Sequence, residues 1–127
     1  MNRGAIRVEV MLDELELFCD PVIEKVFFHL IQSTFENGDK ATVIRISSRP
    51  DADHLVIVYE DDGVGIPEER KKSIFIRDVA KFHGFGMFFI NDILEIAAMS
   101  IEEIGVPGKG VRFEILVPKG SYRFGKT

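Results

Sequence analysis

Hydrophobic and polar residues alternate along several short segments of the chain, as they do in half-buried strands. The pattern occurs in "AIRVEV", "ELELF", "ATVIRISS", "HLVIVYE", "SIEEIG" and "GVRFEILVP". The last two segments flank "VPGKG", which predicts a hairpin, and the polar segment "RPDAD" predicts a turn between the third and fourth strands. The pattern therefore predicts a sheet built from several short strands.

Two other segments have helical periodicity, at roughly 21–37 and 86–98. The first, "PVIEKVFFHLIQSTFEN", is predicted to begin at Asp20-Pro21 and to end at Gly38. Its apolar side carries Ile23, Val26, Phe27, Leu30, Ile31 and Thr34, and a narrow polar stripe carries His29, Gln32, Ser33 and Glu36. The second, "MFFINDILEIAAM", has few polar residues, which predicts a helix that is buried on most sides.

Composition limits the class of protein. With 127 residues, 46% of them hydrophobic, the chain suits one compact domain, assigned to residues 1–120 with a C-terminal tail at 121–127. No apolar run is long enough for a membrane span, and no signal-peptide pattern is present. Cys19 is the one cysteine, which excludes an internal disulfide and predicts a cytoplasmic setting. The net charge of −5 argues against a nucleic-acid partner.

Two glycine-rich turns carry the candidate chemistry. "DDGVGIP" places Asp61 at the end of an apolar strand, followed by Gly63 and Gly65, and "HGFGMFF" places Gly84 and Gly86 at the start of a helix. Backbone N–H groups at a helix N-terminus favour an anion, and a carboxylate at a strand end can accept a hydrogen bond from the exocyclic amine of a base. Together they predict a nucleotide between two turns, in a chain without a P-loop or Rossmann motif.

The ordered segments "DDGVGIPEERKKSIF", "GFGMFFINDIL" and "GVPGKGVRFEILVP" resemble the ATP-binding catalytic domain of sensor histidine kinases. This family forms a wider group with gyrase B, Hsp90 and MutL, and the resemblance extends from about Ile6 to Pro118. It implies an α+β fold, a two-layer α/β sandwich in which helices cover one face of a mixed sheet. It also implies that ATP binds between the helices and a flexible lid.

The same resemblance assigns site residues. Asp61 corresponds to the carboxylate that recognises adenine, and Asp62 has no assigned role. The remaining nucleotide contacts that it implies are Gly63, Gly65, Ile66 at the start of the segment leading to the lid, Phe75 within that segment, and Gly84 and Gly86 beside the phosphates.

The chain departs from the family at two places. Where the family has two asparagines on the first helix, facing the nucleotide and Mg²⁺, this chain has His29 and Ser33. A serine hydroxyl is a shorter and poorer Mg²⁺ ligand than an amide carbonyl, so Ser33, Glu36 and Asn37 are the candidate metal ligands. The lid segment "RDVAKFHGFG" is predicted to be stiffer and more apolar than in the family.

Three functions are consistent with these residues. The first is the catalytic domain of a two-component histidine kinase, which transfers the γ-phosphoryl group of ATP to a histidine on a separate dimerisation domain. A response regulator is then the expected partner of the full protein. His29, His54 and His83 lack the sequence context of a phosphoacceptor, so the chain is expected to be a fragment or subunit, with transfer impaired by Ser33 and the altered lid. The alternatives are a degenerate domain that binds nucleotide weakly or not at all and acts through protein–protein contact, and a serine kinase resembling anti-sigma factors.

Overall fold

The computed structural model describes residues 6–12, 15–17, 23–37, 40–71, 74 and 88–124. In chain order, these ranges contain β1 (Arg7–Met11), β2 (Leu15–Leu17), α1 (Glu24–Asn37), β3 (Val43–Asp51), β4 (His54–Asp61), a 3-10 helix (Glu68–Arg70), α2 (Phe88–Ile96), β5 (Ser100–Glu103), β6 (Arg112–Val117) and β7 (Tyr122–Phe124). The strands and helices predicted from the alternating and helical patterns are therefore present, in the predicted order.

Five of the strands form one mixed sheet in the order β1-β3-β4-β6-β5. β1 runs parallel to β3, and the other neighbours are antiparallel. A parallel pair needs a crossover connection, which α1 supplies between β1 and β3. β2 and β7 form a separate antiparallel pair. The predicted hairpin around "VPGKG" is the connection between β5 and β6.

One face of the large sheet carries the hydrophobic core. Because side chains alternate across a strand, every second residue of β4 and β6 points to this face. The core combines them with residues of both helices: Leu55, Ile57, Tyr59, Phe113, Ile115 and Val117 from the sheet, and Val26, Leu30, Ile90 and Leu94 from the helices. Both helices thus pack on the same face, and the predicted two-layer α+β architecture is confirmed.

The other face of the sheet carries charged side chains in ion pairs. Arg112 lies 3.0 Å from Glu60, and Arg45 lies 3.0 Å from Glu9 across the β1–β3 pairing. Hydrogen bonds from Arg45 and Arg7 hold the pKa of Glu9 below its ordinary value. Exposed pairs of this kind add little stability. They place charged side chains on a face that also carries the buried residues Val56 and Val58.

The predicted turn "RPDAD" is wrong in its extent. β3 continues through Arg49 and Pro50 to Asp51, and only Ala52 and Asp53 form the turn before β4. The pairing of β3 with β1 ends at Ser47, so β3 is an edge strand at Pro50. Proline is tolerated at such a position because its missing N–H leaves no partner strand unbonded. Ala52 adopts a φ of 56° to close the two-residue hairpin.

Two further differences concern α2 and the chain end. The prediction that α2 is buried on most sides is wrong, because Phe89 and Ile96 are 48% and 87% exposed while Ile90 and Leu94 are fully buried. No strand is predicted within 121–127, yet Tyr122–Phe124 pairs with β2. The predicted helix boundaries at Asp20-Pro21 and Gly38 lie outside the described residues.

The contrast within α2 gives a test of the packing. Leu94→Ala removes a fully buried side chain and is expected to lower the free energy of unfolding by about 2–5 kcal/mol, the usual cost of such a cavity. Ile96→Ala, two positions along the same helix, is expected to change it by less than about 0.5 kcal/mol because this side chain is exposed. Urea unfolding monitored by circular dichroism measures both. Equal losses would show that α2 is packed differently.

Candidate functional site

Asp61 is the last residue of β4, and its side chain points to the face covered by the helices. It is only 8% exposed, so its carboxylate must be satisfied largely by the protein. Oδ1 accepts hydrogen bonds from the backbone N–H groups of Gly63 (2.9 Å) and Val111 (3.1 Å), and Oδ2 accepts one from the Thr34 hydroxyl (2.7 Å). Donors from α1, from the turn after β4 and from the residue before β6 therefore converge on one carboxylate.

A second hydroxyl, that of Tyr59, contacts Thr34. The Tyr59 hydroxyl lies 2.6 Å from Thr34 Oγ1 and donates to the backbone carbonyl of Leu30 at 2.9 Å. Burial raises the pKa of Tyr59 far above its ordinary value; the hydrogen bond with Thr34 opposes this rise, and the charge of Asp61 adds to it. Tyr59 therefore remains a hydrogen-bond donor at any physiological pH. These polar groups form a connected chain between α1 and β4.

Neither Thr34 nor Tyr59 is predicted as a site residue from the sequence. Both lie on faces that the sequence marks as apolar, Thr34 with Leu30 on α1 and Tyr59 with Ile57 on β4. A hydroxyl at an inward position of an apolar stripe is itself a signal, because a buried hydroxyl requires a partner. That signal was available in the sequence but did not identify the partner.

The turn after β4 packs against the loop between β5 and β6. Asp61 N–H donates to the carbonyl of Val111 (3.1 Å), and Gly108 N–H donates to the carbonyl of Val64 (2.7 Å). Gly65 has a φ of 77°, and a Cβ there would lie 2.9 Å from the carbonyl oxygen of Gly110. The structure thus brings the predicted residues Asp61, Gly63 and Gly65 together, next to a loop that the sequence analysis did not assign to the site.

Gly110 makes the closest approach in this region. A Cβ on Gly110 would lie 1.9 Å from the backbone oxygen of Asp61, and its φ is 115°. The residue is glycine because the backbone after β4 occupies the space of a side chain. Sequence alone gave no reason to choose Gly110 over Gly108, which stands two residues earlier in the same motif.

Asp62 points away from Asp61 and holds the start of β3. Its Oδ1 accepts from the N–H groups of Thr42 (2.7 Å) and Val43 (3.0 Å), and its Oδ2 accepts from the Thr42 hydroxyl (2.5 Å). Loss of hydration by itself raises the pKa of Asp62, but the hydrogen bonds from Thr42 and Val43 together hold it below the ordinary value. Asp62 is exposed, as expected for a solvated neighbour, and it additionally has this structural role.

A buried ion pair lies beside the loop between β5 and β6. Lys71 Nζ is 2.6 Å from Glu103 Oε1, and these side chains are 12% and 1% exposed. Glu103 Oε2 accepts from the N–H groups of Gly105 and Arg112, both at 3.0 Å, and Lys71 also donates to the carbonyl of Gly105. This pair joins the end of the 3-10 helix to β5 and β6. Neither residue is predicted to have a role from the sequence.

The remaining described site residues are His29 and Ser33 on the polar stripe of α1, and Ile66 in the segment after β4. His29 is half-buried, and its ring stacks on Phe89 of α2 with centroids 5.9 Å apart and planes at 19°. Ser33 is also half-buried, and Gln32 is exposed. Ile66 is buried. His29 therefore contacts the other helix through its ring, a partner that the stripe did not predict.

The predicted Mg²⁺ site stays a prediction, because only some of its side chains are among the described residues. Within them, no group of three or more His, Cys, Asp or Glu side chains is arranged to hold a metal ion. Ser33 is the one predicted ligand whose side chain is described, and the side chains of Glu36 and Asn37 lie outside that part of the structure. Phe75, Gly84, Gly86 and the lid segment also lie outside the described residues.

Comparison with known proteins identifies the family. A family model for histidine kinase-, DNA gyrase B- and HSP90-like ATPases matches residues 20–121. The chain belongs to this ATPase family. It is 30% identical over 99 residues to sporulation kinase C of Bacillus subtilis (strain 168), covering 76% of this chain and 23% of that protein. It is 28% identical over 101 residues to the alginate biosynthesis sensor protein KinB of Pseudomonas aeruginosa, covering 76% of this chain and 17% of that protein.

The chain thus spans less than a quarter of the length of these two relatives. Among solved structures, a nucleotide-free form of the catalytic domain of histidine kinase ThkA is similar in fold. It has a TM-score of 0.72 at 24% sequence identity, and the match covers 90% of this chain and 79% of that one. Within the described residues, no helix is long and apolar enough to cross a membrane.

Substitutions at two glycines of the β5–β6 loop test how closely the backbone of this loop approaches Asp61. Both Gly108 and Gly110 have positive φ, so alanine strains either backbone by about 1–2 kcal/mol. Only Gly110→Ala also places a Cβ against Asp61, whereas a Cβ on Gly108 meets nothing within 4 Å. We expect Gly110→Ala to lower the free energy of unfolding by at least about 2 kcal/mol more than Gly108→Ala. Urea unfolding of both variants measures the difference, and similar losses would contradict the proximity of Gly110 to Asp61.

Proposed function

We propose that this domain binds ATP with the adenine amine on Asp61 Oδ2. The observation that carries the proposal is the buried, fixed carboxylate at the end of β4, beside two glycine-containing segments whose backbones lie close together. Membership of the ATPase family supports a nucleotide as the ligand. Gly63, Gly65 and Ile66 would border the base, and Gly84 and Gly86 would lie along the phosphates.

We further propose that the full protein is a histidine kinase of a two-component system. This chain would present ATP to a histidine on a separate dimerisation domain, from which a response regulator then receives the phosphoryl group. Support comes from the similarity to a sporulation kinase and to a sensor protein, and from the short span of the chain within them. Phosphoryl transfer depends on positioning and charge neutralisation, so the residues at positions 29 and 33 decide its efficiency.

The substitutions on α1 favour weak transfer by this chain. A Ser33 hydroxyl is too short to replace an asparagine as a direct Mg²⁺ ligand, although Mg²⁺ readily retains water in its coordination shell. His29 is engaged with Phe89 through its ring. The second candidate function, nucleotide binding without efficient catalysis, therefore rests on His29 and Ser33.

The first functional prediction concerns the base. In Asp61→Asn, the side-chain oxygen can still accept from Gly63 and Val111, while the amide nitrogen replaces Oδ2 and can donate to Thr34. The fold should therefore survive, but a donor now faces the donor of the adenine amine. We expect ATP affinity to fall at least tenfold, about 1.4 kcal/mol, as measured by isothermal titration calorimetry.

Asp62→Asn is the matched control for this test. It makes the same chemical change one residue along, at a carboxylate that faces Thr42 and Val43. We expect a small loss of stability and nearly unchanged ATP affinity. If both variants lose affinity equally, the base does not lie on Asp61.

The second functional prediction concerns Mg²⁺. The unmodified chain is expected to bind ATP weakly, with an affinity that changes little when Mg²⁺ is chelated, and to phosphorylate a histidine-bearing partner domain little or not at all. Ser33→Asn restores an amide carbonyl and should introduce Mg²⁺ dependence, more fully in combination with His29→Asn. Titrations of the three chains with ATP, with and without Mg²⁺, measure this effect. Tight, Mg²⁺-dependent binding by the unmodified chain would overturn the expectation and point to Glu36 or Asn37 as the ligand.

A further inference from the structure

The hydrogen bonds of Asp61 leave it with little capacity for a ligand. An ionised carboxylate has about four lone-pair positions. Among the described residues, two N–H groups fill those of Oδ1, and the Thr34 hydroxyl fills one of those on Oδ2. In this set of contacts, one acceptor position remains, and it lies on Oδ2. Of these three donors, only Thr34 uses a side chain, so Thr34 is the residue whose replacement can change how many donors the carboxylate receives from a base.

We propose that Thr34 is a positioning residue that gives this site its selectivity for adenine over guanine. The proposal rests on the nucleotide site proposed above and adds a residue that determines its specificity. Adenine presents one amine hydrogen to a single acceptor. Guanine presents neighbouring N1–H and amine donors, which need two acceptor positions on a carboxylate, and Thr34 occupies the second.

Burial and geometry fix Thr34 in this role. Its side chain is 2% exposed, between α1 and β4. A threonine in a helix commonly donates its hydroxyl hydrogen to the carbonyl four residues earlier, which for Thr34 is that of Leu30. Tyr59 donates to that same carbonyl at 2.9 Å. Tyr59 therefore competes for Leu30 and favours donation from Thr34 to Asp61.

The proton count supports this direction. Thr34 has one hydroxyl hydrogen, and ionised Asp61 can only accept, so the 2.7 Å contact uses the hydrogen of Thr34. The single hydroxyl hydrogen of Tyr59 is then shared between Thr34 Oγ1 and the Leu30 carbonyl. Removing the Tyr59 hydroxyl would free Leu30 as an acceptor for Thr34 and weaken the contact with Asp61.

The test compares ATP and GTP affinities, by isothermal titration calorimetry, in variants of Thr34. Thr34→Val keeps the shape and removes the hydroxyl, and Thr34→Ser keeps the hydroxyl. We expect Thr34→Val to narrow the ratio of ATP to GTP affinity about tenfold, by weakening ATP and strengthening GTP, and Thr34→Ser to retain the parental ratio. Tyr59→Phe should narrow the ratio by a smaller factor, and Thr34→Val combined with Tyr59→Phe should narrow it no further than Thr34→Val alone.

Thr42→Val is the matched control, because it removes a hydroxyl that donates to the neighbouring carboxylate of Asp62. It is expected to lower the midpoint of thermal unfolding and to leave the ATP-to-GTP ratio unchanged. A purely structural role for Thr34 would lower the unfolding midpoint of Thr34→Val without moving the ratio, and this outcome overturns the inference alone. If the unmodified chain binds neither nucleotide, the proposed function fails and the inference with it.

Discussion

The structure depends on how one buried carboxylate is satisfied. Placing a charge in the interior is costly unless hydrogen bonds replace the lost water. Asp61 obtains its hydrogen bonds from Thr34, Gly63 and Val111, which belong to three parts of the chain separated by up to about eighty residues. The requirement therefore fixes α1, the turn after β4 and the approach to β6 relative to one another. The candidate nucleotide site is built from these same contacts.

The two adjacent acids after β4 have separate roles because of the geometry of a strand. Successive side chains point to opposite faces, so Asp61 enters the helical layer while Asp62 reaches Thr42 and Val43 at the start of β3. Each carboxylate closes a different part of the structure. A turn alone would need neither acid. Two acids stand here because Asp61 joins the end of β4 to α1, while Asp62 joins it to the start of β3.

Much of the fold could be predicted from sequence, because strand and helix periodicities are strong in segments such as "HLVIVYE" and "VFFHLIQ". β7 was not predicted, although Tyr122, Arg123 and Phe124 alternate in the same way as the three residues of β2. The exposure of Ile96 was missed because composition describes how apolar a helix is, and only tertiary structure decides which side is covered. Within the site, Asp61, Gly63 and Gly65 follow from their motif, whereas Thr34 and Gly110 depend on contacts between distant segments. Such contacts leave no local pattern.

The loop between β5 and β6 has two parts with different freedom to change during evolution. At its tip, a Cβ on Gly108 would meet nothing within 4 Å, and Val106 is largely exposed. At its base, Gly110 lies against the backbone of Asp61, and Gly105 faces the carboxylate of Glu103. Divergent descendants of this chain can therefore alter the tip, and with it the surface shown to other molecules, while the base stays constrained by the backbone that it contacts. New binding partners would be acquired at the tip without changing the contacts between the base of the loop and Asp61.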